Sequence, residues 1–275
     1  SKPSINIGDM KNRGVDLSIG WRDKVGEFGY NITANISRYK NEVTRLGSSD
    51  LFNDTRLSKV NITTVGQPVG MFYGYQIEGI YQNEQDVISS GVLPYGVATE
   101  NDLVASAWVG RYKMKDVNND GKIDADDRTI IGNPHPDFTG GVNLSVGWKG
   151  FDLSTFLYFS VGNDLYKHYQ YYTHFGALQS NFSKDRLENS WDPVTNPDGI
   201  YPLWATTGGE SDIAANQSNS GYIEDGSFLR MQTLTLGYTL PKKILDKIKF
   251  EKIRIYGQVA NVFTITGYSG LDPQV

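Results

Sequence analysis

Cysteine is absent from this sequence of 275 residues, which also has only three histidines and no long apolar run. The lack of cysteine excludes disulfide bonds, thiolate metal sites and thiol catalysis. No stretch approaches the roughly 18 consecutive apolar residues of a membrane-spanning helix. The strands of a membrane β-barrel alternate, however, and leave only a weak hydropathy signal. A membrane location is therefore not excluded.

Positive charge is also scarce. The chain has 26 Lys and Arg residues against 31 Asp and Glu residues, which gives a formal net charge of −5. The densest basic group is Lys242, Lys243, Lys247 and Lys249, and it is too small to neutralise a row of phosphates. We therefore expect no nucleic-acid partner.

The common catalytic motifs are missing as well. His135, His168 and His174 do not form an HExxH pair, and neither a GxSxG turn nor a phosphate-binding glycine loop is present. Acidic residues are numerous, but no spacing singles out two of them as a catalytic pair. The sequence thus predicts that the protein is not an enzyme.

Turn-forming glycine and aromatic residues are abundant, with 30 Gly, 17 Tyr, 12 Phe and 5 Trp, and this composition favours β-structure. Six segments alternate apolar and polar residues over about ten positions, as tilted barrel strands do. In the fifth segment, Phe228 is predicted to share a face with Leu234, Leu236 and Tyr238. The six segments cover residues 15–21, 30–37, 142–148, 151–160, 228–240 and 252–264.

Short and long connections alternate between these segments. The short ones lie around residues 24–27, 149–150 and 241–251, and the long ones cover about 39–137 and 162–226. Short turns at one rim and long loops at the other are typical of outer-membrane barrels, whose long loops are extracellular. The sequence therefore predicts an all-β fold that forms part of a transmembrane antiparallel β-barrel. A calcium-stabilised secreted β-sandwich that binds glycans without transporting them is the alternative, because sandwich strands also alternate.

The first long connection contains the string DVNNDGKIDADD at residues 116–127, which fits the pattern of a calcium loop. Such loops place oxygen ligands at positions 1, 3, 5, 7, 9 and 12, with glycine at position 6. Gly121 takes the glycine position, and the twelfth residue is Asp where Glu is usual. An acidic turn held by its own hydrogen bonds, without metal, is the other interpretation. The predicted ligands are Asp116, Asn118, Asp120, Lys122 through its carbonyl, Asp124 and Asp127.

Aromatic residues are concentrated in the long connections. Such side chains stack on sugar rings or peptide side chains, or contact a partner protein. For most of them, packing inside the loops is the alternative. The predicted cargo or partner contacts are Tyr171, Tyr172, Trp191, Tyr201 and Trp204.

Several strings resemble the SusC/RagA family of TonB-linked outer-membrane transporters, in order over nearly the whole chain. They include NRGVDLSIGW, GQPVGMFYGYQIEGIYQN, the region from DVNNDGKIDADD to FSVGNDLY, GSFLRMQTLTLGYTLPKKIL and IRIYGQVANVFTITGYSGLDP. The resemblance implies a barrel of about 22 strands closed by a plug domain. It also implies TonB-dependent import of a glycan or peptide across the bacterial outer membrane, with a SusD-like surface lipoprotein as partner.

Within such a transporter, residues 1–275 would form a C-terminal portion of the barrel, and the plug would lie outside this sequence. Six strands cannot close a barrel of that size, and an open sheet edge in lipid leaves backbone groups unpaired. We therefore expect further strands beyond both ends of this segment. The resemblance does not distinguish glycan from peptide cargo.

Overall fold

The computed structural model describes residues 8–47, 50–55, 58–175, 181–203 and 217–274. Strands predominate, and the helices are short. The strands are β1 (Gly8–Val25), β2 (Phe28–Leu46), β3 (Leu51–Thr55), β4 (Ser58–Thr63), β5 (Met71–Gly74), β6 (Ile77–Ile80), β7 (Tyr112–Met114), β8 (Thr129–Gly132), β9 (Phe138–Trp148), β10 (Phe151–Val161), β11 (Asp164–Tyr166), β12 (Ile223–Asp225), β13 (Phe228–Thr239) and β14 (Arg254–Thr266). The α-helices are α1 (Glu84–Ser89), α2 (Tyr169–Thr173), α3 (Lys184–Glu188) and α4 (Lys242–Ile248).

The six alternating segments lie in one sheet of six strands, in the order β1-β2-β9-β10-β13-β14. The registered pairs β2–β9, β9–β10, β10–β13 and β13–β14 are all antiparallel. The predicted all-β antiparallel fold is therefore confirmed. Strand β2 continues to Leu46, so the first long connection begins after the expected position Tyr39. No helix in the described ranges is long and apolar enough to cross a membrane.

Local sequence explains the tight hairpin between β9 and β10. Trp148 pairs with Phe151, so only Lys149 and Gly150 connect the strands. Both connecting residues have positive φ, at 48° and 88°. Two-residue turns of this kind match the right-handed twist of the strands, and glycine adopts the second position without strain.

A β-bulge in β13 corrects the predicted face of Phe228. Leu157 pairs with Met231 while the preceding Phe156 pairs with Thr233, so β13 carries one extra residue. The extra residue reverses the alternation, because successive side chains of a strand point to opposite faces. Phe228 pairs with Ser160, whereas Leu234 pairs with Thr155, five positions earlier in β10. The prediction that Phe228 shares a face with Leu234 is thus wrong.

One face of the outer strands is apolar and exposed. On β1, alternate residues Val15, Leu17, Ile19 and Trp21 are all more than 60% exposed. On β14, Ile255, Val259 and Phe263 are 66%, 55% and 39% exposed. Rows of large apolar side chains are rarely left in water, since burying each would contribute roughly 1.5–3 kcal/mol. This face requires an apolar environment.

The described residues divide into two compact units. The sheet unit contains the described residues of Lys11–Asn41, His135–Asp164 and Asp225–Val275. The loop unit contains mainly those of Glu42–Pro134 and Leu165–Glu224, which are the two long connections. Phe175 of the second connection packs against clusters centred on Tyr75 and on Tyr222. The two loops therefore share one core.

Candidate functional site

The acidic segment 116–127 of the loop unit folds as a tight turn around backbone amides. Asp116 Oδ2 accepts the Gly121 N–H at 2.8 Å, and Asn118 Oδ1 accepts the Asp120 N–H at 3.0 Å. Asp120 Oδ1 accepts the Lys122 N–H at 3.1 Å. Gly121 has φ +85°, a conformation that favours glycine. The sixth position of the predicted calcium loop therefore makes the sharp reversal that the motif requires.

Asp127, the twelfth residue of the motif, closes this turn. Its side chain is completely buried, with Oδ1 accepting the Val117 N–H at 2.9 Å and Oδ2 accepting the Asp124 N–H at 2.7 Å. The neighbouring Ile123 is buried in the core with Tyr112. The motif thus has a structural role through Asp127 and Ile123.

Lys122 partly neutralises the acidic turn. Its Nζ lies 2.5 Å from Asp124 Oδ2 and 3.8 Å from Asp120 Oδ2. The hydrogen bond to Asp124 raises the pKa of Lys122 and lowers the pKa of Asp124. The carboxylate, amide and carbonyl oxygens of the motif are ligands that calcium accepts. Within the part of the chain that the structure describes, however, no three His, Asp or Glu side chains converge as a metal site. Calcium would have to displace the Lys122 ammonium.

Trp191 and Tyr201, two of the predicted contact residues, lie inside the loop unit at 2% and 6% exposure. The Trp191 indole Nε1 donates to Gln82 Oε1 at 2.8 Å. Its ring lies against Gly110, where a Cβ atom would come within 2.8 Å of the indole. Both aromatic residues therefore pack the loop core and do not present an open contact surface.

Tyr171 and Tyr172 are half-buried and remain accessible on α2. The His168 ring stacks on Tyr172 with centroids 5.9 Å apart, and the rings of Tyr171 and Tyr172 meet edge to face at 5.1 Å. The adjacent Tyr169 is exposed. This α2 aromatic cluster of His168, Tyr171 and Tyr172 is the candidate contact surface. Trp204 lies outside the described residues.

A buried histidine joins α2 to α3. His174 Nδ1 lies 2.8 Å from Thr173 Oγ1, and Nε2 lies 3.2 Å from Asp185 Oδ2 and 3.3 Å from Ser183 Oγ. The Tyr201 hydroxyl donates to Asp185 Oδ2 at 2.6 Å. These contacts link α2 to α3 through one buried imidazole.

The electrostatic surroundings of His174 favour the neutral form of its imidazole. Burial lowers the pKa of His174 below its usual 6.5, and the charges of Lys167 and Arg186 add to this effect, while Asp185 opposes it. The hydrogen bond from Tyr201 lowers the pKa of Asp185. No sequence motif marks this network, because the spacing of its members matches no known site pattern.

A groove of about 380 Å³ lies beside strand β6 in the loop unit. Its lining includes all four residues of β6, together with Gln82 and Tyr112. The turn 197–200 completes the lining. No sequence motif marks this groove. In the sequence, only Gly79 points to it, because glycine is unusual within a strand.

Comparisons with known proteins show which proteins the chain resembles. No family model matches it. TonB-dependent receptor P3 of Formosa agariphila is 33% identical, and TonB-dependent receptor SusC of Bacteroides thetaiotaomicron is 28% identical, each over 98% of this chain. Over nearly its whole length the chain is similar to a segment of SusC/RagA-like TonB-dependent transporters. The family resemblance seen in the sequence strings is confirmed.

Solved structures agree with this assignment of the SusC/RagA-like segment. The RagAB peptide importer in its closed-closed state has a TM-score of 0.71 and 25% identity over 98% of this chain. The RagAB peptide transporter has a TM-score of 0.73 and 26% identity over the same share. The segment spans about a quarter of the length of these relatives: 26% of the receptor P3 and 27% of the RagAB chain. The secreted β-sandwich alternative is not favoured, and the relatives are receptors and transporters, not enzymes.

Proposed function

We propose that the protein containing this SusC/RagA-like segment imports an oligomeric nutrient, a glycan or a peptide, across the bacterial outer membrane with TonB-coupled energy. Similarity to TonB-dependent receptors over 98% of the chain carries this proposal. The exposed apolar face of the six-stranded sheet supports it, because lipid would cover that face. In this proposal the sheet unit is barrel wall, and the loop unit is extracellular.

The two faces of the sheet fit a barrel wall with lipid outside and a polar interior. Trp21, Trp148 and Phe151 lie beside the short turns and are at least half exposed, as aromatic residues of an interfacial girdle are. On the other face, the Arg254 guanidinium donates to Asp152 with Nε–Oδ1 at 3.0 Å and Nη2–Oδ2 at 2.5 Å. A polar interior fits the passage of hydrated cargo.

The partners follow from the same proposal. A SusD-like surface lipoprotein would cover the extracellular side, and TonB would act from the periplasmic side through a plug outside this segment. The α2 aromatic cluster would contact cargo or the lipoprotein, since aromatic side chains stack on both sugars and peptides.

The whole protein provides the test. We expect the full-length protein to fractionate with outer membranes, and we expect loss of its gene or of TonB to abolish uptake of the same oligomer. Recovery of the full-length protein from the periplasm or the medium without detergent would refute the proposal. Uptake that persists without TonB would refute the energy coupling.

We also propose that residues 116–127 bind calcium outside the cell. The oxygen-rich side chains and the positive φ of Gly121 support this role. A weak site with a Kd of about 10⁻⁴–10⁻³ M would fill in calcium-rich surroundings. The ion would brace the turn against the core through Ile123.

A further inference from the structure

Helix α4 carries the densest positive charge of the chain, at the rim of the sheet where the short turns lie. Residues 241–250 contain four lysines and one aspartate, so this stretch has a formal charge of +3 within a chain of net charge −5. The lysines are Lys242, Lys243, Lys247 and Lys249, and all four are exposed. Among the residues that the structure describes, none forms a salt bridge with them. Their charge is therefore available to a partner.

The connection that contains α4 is much longer than its hairpin requires. The Leu240 N–H donates to the Ile253 carbonyl at 3.0 Å, so the two sides of the hairpin already meet before the helix begins. The other two short turns consist of two residues each, at 26–27 and 149–150. Closure of the sheet therefore does not explain residues 241–252.

Apolar and basic side chains occupy neighbouring rows of α4. Leu245 is buried, and the row formed by Ile244 and Ile248 lies beside it but is exposed. Lys243 and Lys247, also four residues apart, form the next row around the helix. Helices with an apolar row beside a basic row are typical of membrane surfaces, where the apolar side chains enter the acyl region and the lysines remain among the headgroups.

Helix α4 begins close to the apolar face of the sheet. Tyr238, three residues before Pro241, pairs with Phe151 and with Ile255. The rings of Phe151 and Tyr238 have centroids 4.5 Å apart, and both Phe151 and Ile255 are exposed. Phe250, which follows the helix, is exposed as well. Lipid that covers the apolar face would therefore reach the end of β13, where the chain enters α4.

We propose that α4 binds anionic phospholipid headgroups in the periplasmic leaflet of the membrane. The proposal rests on the proposed function, which places the sheet in the outer membrane with its short turns toward the periplasm. Ile244 and Ile248 enter between the acyl chains, and Lys243 and Lys247 bind the phosphates. Charge complementarity favours this occupant, since a leaflet presents phosphates directly beside apolar chains, as the two rows of α4 require.

Native mass spectrometry of the purified full-length transporter in detergent tests this site, because it counts bound lipid molecules individually. The probes are phosphatidylglycerol and phosphatidylcholine with identical acyl chains, so they differ in headgroup and in net charge. We expect phosphatidylglycerol to bind at least about threefold more tightly. Glycerol 3-phosphate, which carries the phosphate without acyl chains, should not displace it.

Substitutions in α4 test the residues. Lys243→Gln combined with Lys247→Gln should weaken binding of phosphatidylglycerol by about three- to tenfold and leave phosphatidylcholine unaffected. Ile244→Ser combined with Ile248→Ser should weaken binding of both lipids, because it removes the apolar row.

The matched control removes two exposed lysines of the loop unit, through Lys115→Gln with Lys184→Gln. It changes the net charge of the protein by the same amount as the double lysine variant of α4. Its affinity for phosphatidylglycerol should equal that of the wild-type protein. Equal weakening by the two double lysine variants would mean that net charge alone controls binding, and it would overturn the assignment to α4.

The outcomes separate this proposal from the transport proposal. Equal binding of the two lipids, or displacement of phosphatidylglycerol by glycerol 3-phosphate, would overturn the lipid site, while outer-membrane location and TonB-dependent uptake would still stand. Loss of uptake in the α4 lysine variant with unchanged lipid binding would assign these lysines to a protein partner and would also overturn the site. A full-length protein that is absent from outer membranes would instead overturn the transport function.

Discussion

Asp127 and Lys122 both stabilise the acidic turn without a metal ion. The buried Asp127 carboxylate accepts two backbone N–H groups, so it holds the loop closed by itself. The Lys122 ammonium lies between Asp120 and Asp124, where it supplies some of the positive charge that calcium would bring. Metal affinity at this turn therefore depends on how readily calcium displaces one exposed lysine.

Calcium binding can be measured on the full-length protein by calorimetry. We expect a Kd of about 10⁻⁴–10⁻³ M, and we expect the double change Asp116→Ala with Asp120→Ala to abolish binding because it removes two oxygen ligands. Lys122→Ala should strengthen binding, since the competing ammonium is gone while the backbone carbonyl remains. Glu100→Ala is the matched control. Calcium binding that the double change leaves intact would argue against a site at this turn.

The pH dependence of the α2–α3 contact follows from His174. Burial lowers the pKa of His174 in the folded protein, so below pH 6.5, the usual pKa of histidine, the unfolded segment binds a proton more readily than the folded one. The contact should therefore lose stability as the pH falls below 6.5. Above pH 6.5, the titration of His174 should not change its stability. Asp185, whose pKa is also lowered, adds stability above its usual pKa of 3.8 that is lost at more acidic pH.

Hydrogen exchange of α2 and α3 between pH 7 and pH 5 measures this effect, after correction for the intrinsic rate. We expect protection to decrease toward pH 5 in the wild-type protein. His174→Gln keeps a polar side chain without a titratable ring, so its protection should change little over this range. Equal losses of protection in the two proteins would show that another group controls the contact.

At the scale of elements, two irregularities occur side by side in β13 and β14. Met231 pairs with Phe263 while Thr233 pairs with Ala260, so β14 carries an extra residue beside the bulge of β13. Asn261 in this stretch has φ +50°. Bulges bend a strand and increase its twist, and asparagine tolerates the left-handed conformation better than branched residues do. The irregularities therefore supply curvature at this edge of the sheet.

Substitutions at Asn261 test the need for this conformation. Asn261→Val should destabilise the full-length protein by about 1–2 kcal/mol, because a branched side chain is strained at positive φ. Asn261→Gly should be nearly neutral. Asn143→Val is the control, because it makes the same exchange in β9 at a residue that does not have positive φ. It should be tolerated. Urea unfolding in detergent measures the differences, and similar values for the two valine variants would contradict a role for backbone strain.

At the scale of the whole molecule, the sheet has two terminal strands, β1 and β14, in the described order. Their exposed apolar residues are unfavourable in water. In lipid, the edge of a terminal strand requires pairing with a further strand. The sheet is thus suited to a larger assembly.

Expression of residues 1–275 alone tests this dependence. We expect the isolated segment to aggregate in buffer and to remain unfolded after dilution from urea, because water cannot stabilise the exposed apolar face. The full-length protein in detergent is the control and should show strand-rich circular dichroism. A soluble monomer of the segment with cooperative unfolding would contradict the barrel-wall assignment and favour the β-sandwich.

Local sequence by itself determined the six strands of the large sheet, the short turns and the acidic loop. Strict alternation indicates a strand, because the side-chain period of two is a property of the backbone. Lys149-Gly150 likewise specifies its turn through conformations available over a few residues. The resemblance to the SusC/RagA family could also be recognised from sequence, because the matching strings occur in order along the chain.

Only the tertiary structure decided what residues distant along the chain do together. The burial of Trp191 depends on Gln82 and Gly110 in the other long connection, so its aromatic character alone could not distinguish packing from cargo contact. The face of Phe228 depends on one extra residue in β13, which alternation cannot reveal. The lining of the groove beside β6 requires the turn 197–200. These features depend on long-range contacts, which the periodicity of a single segment does not encode.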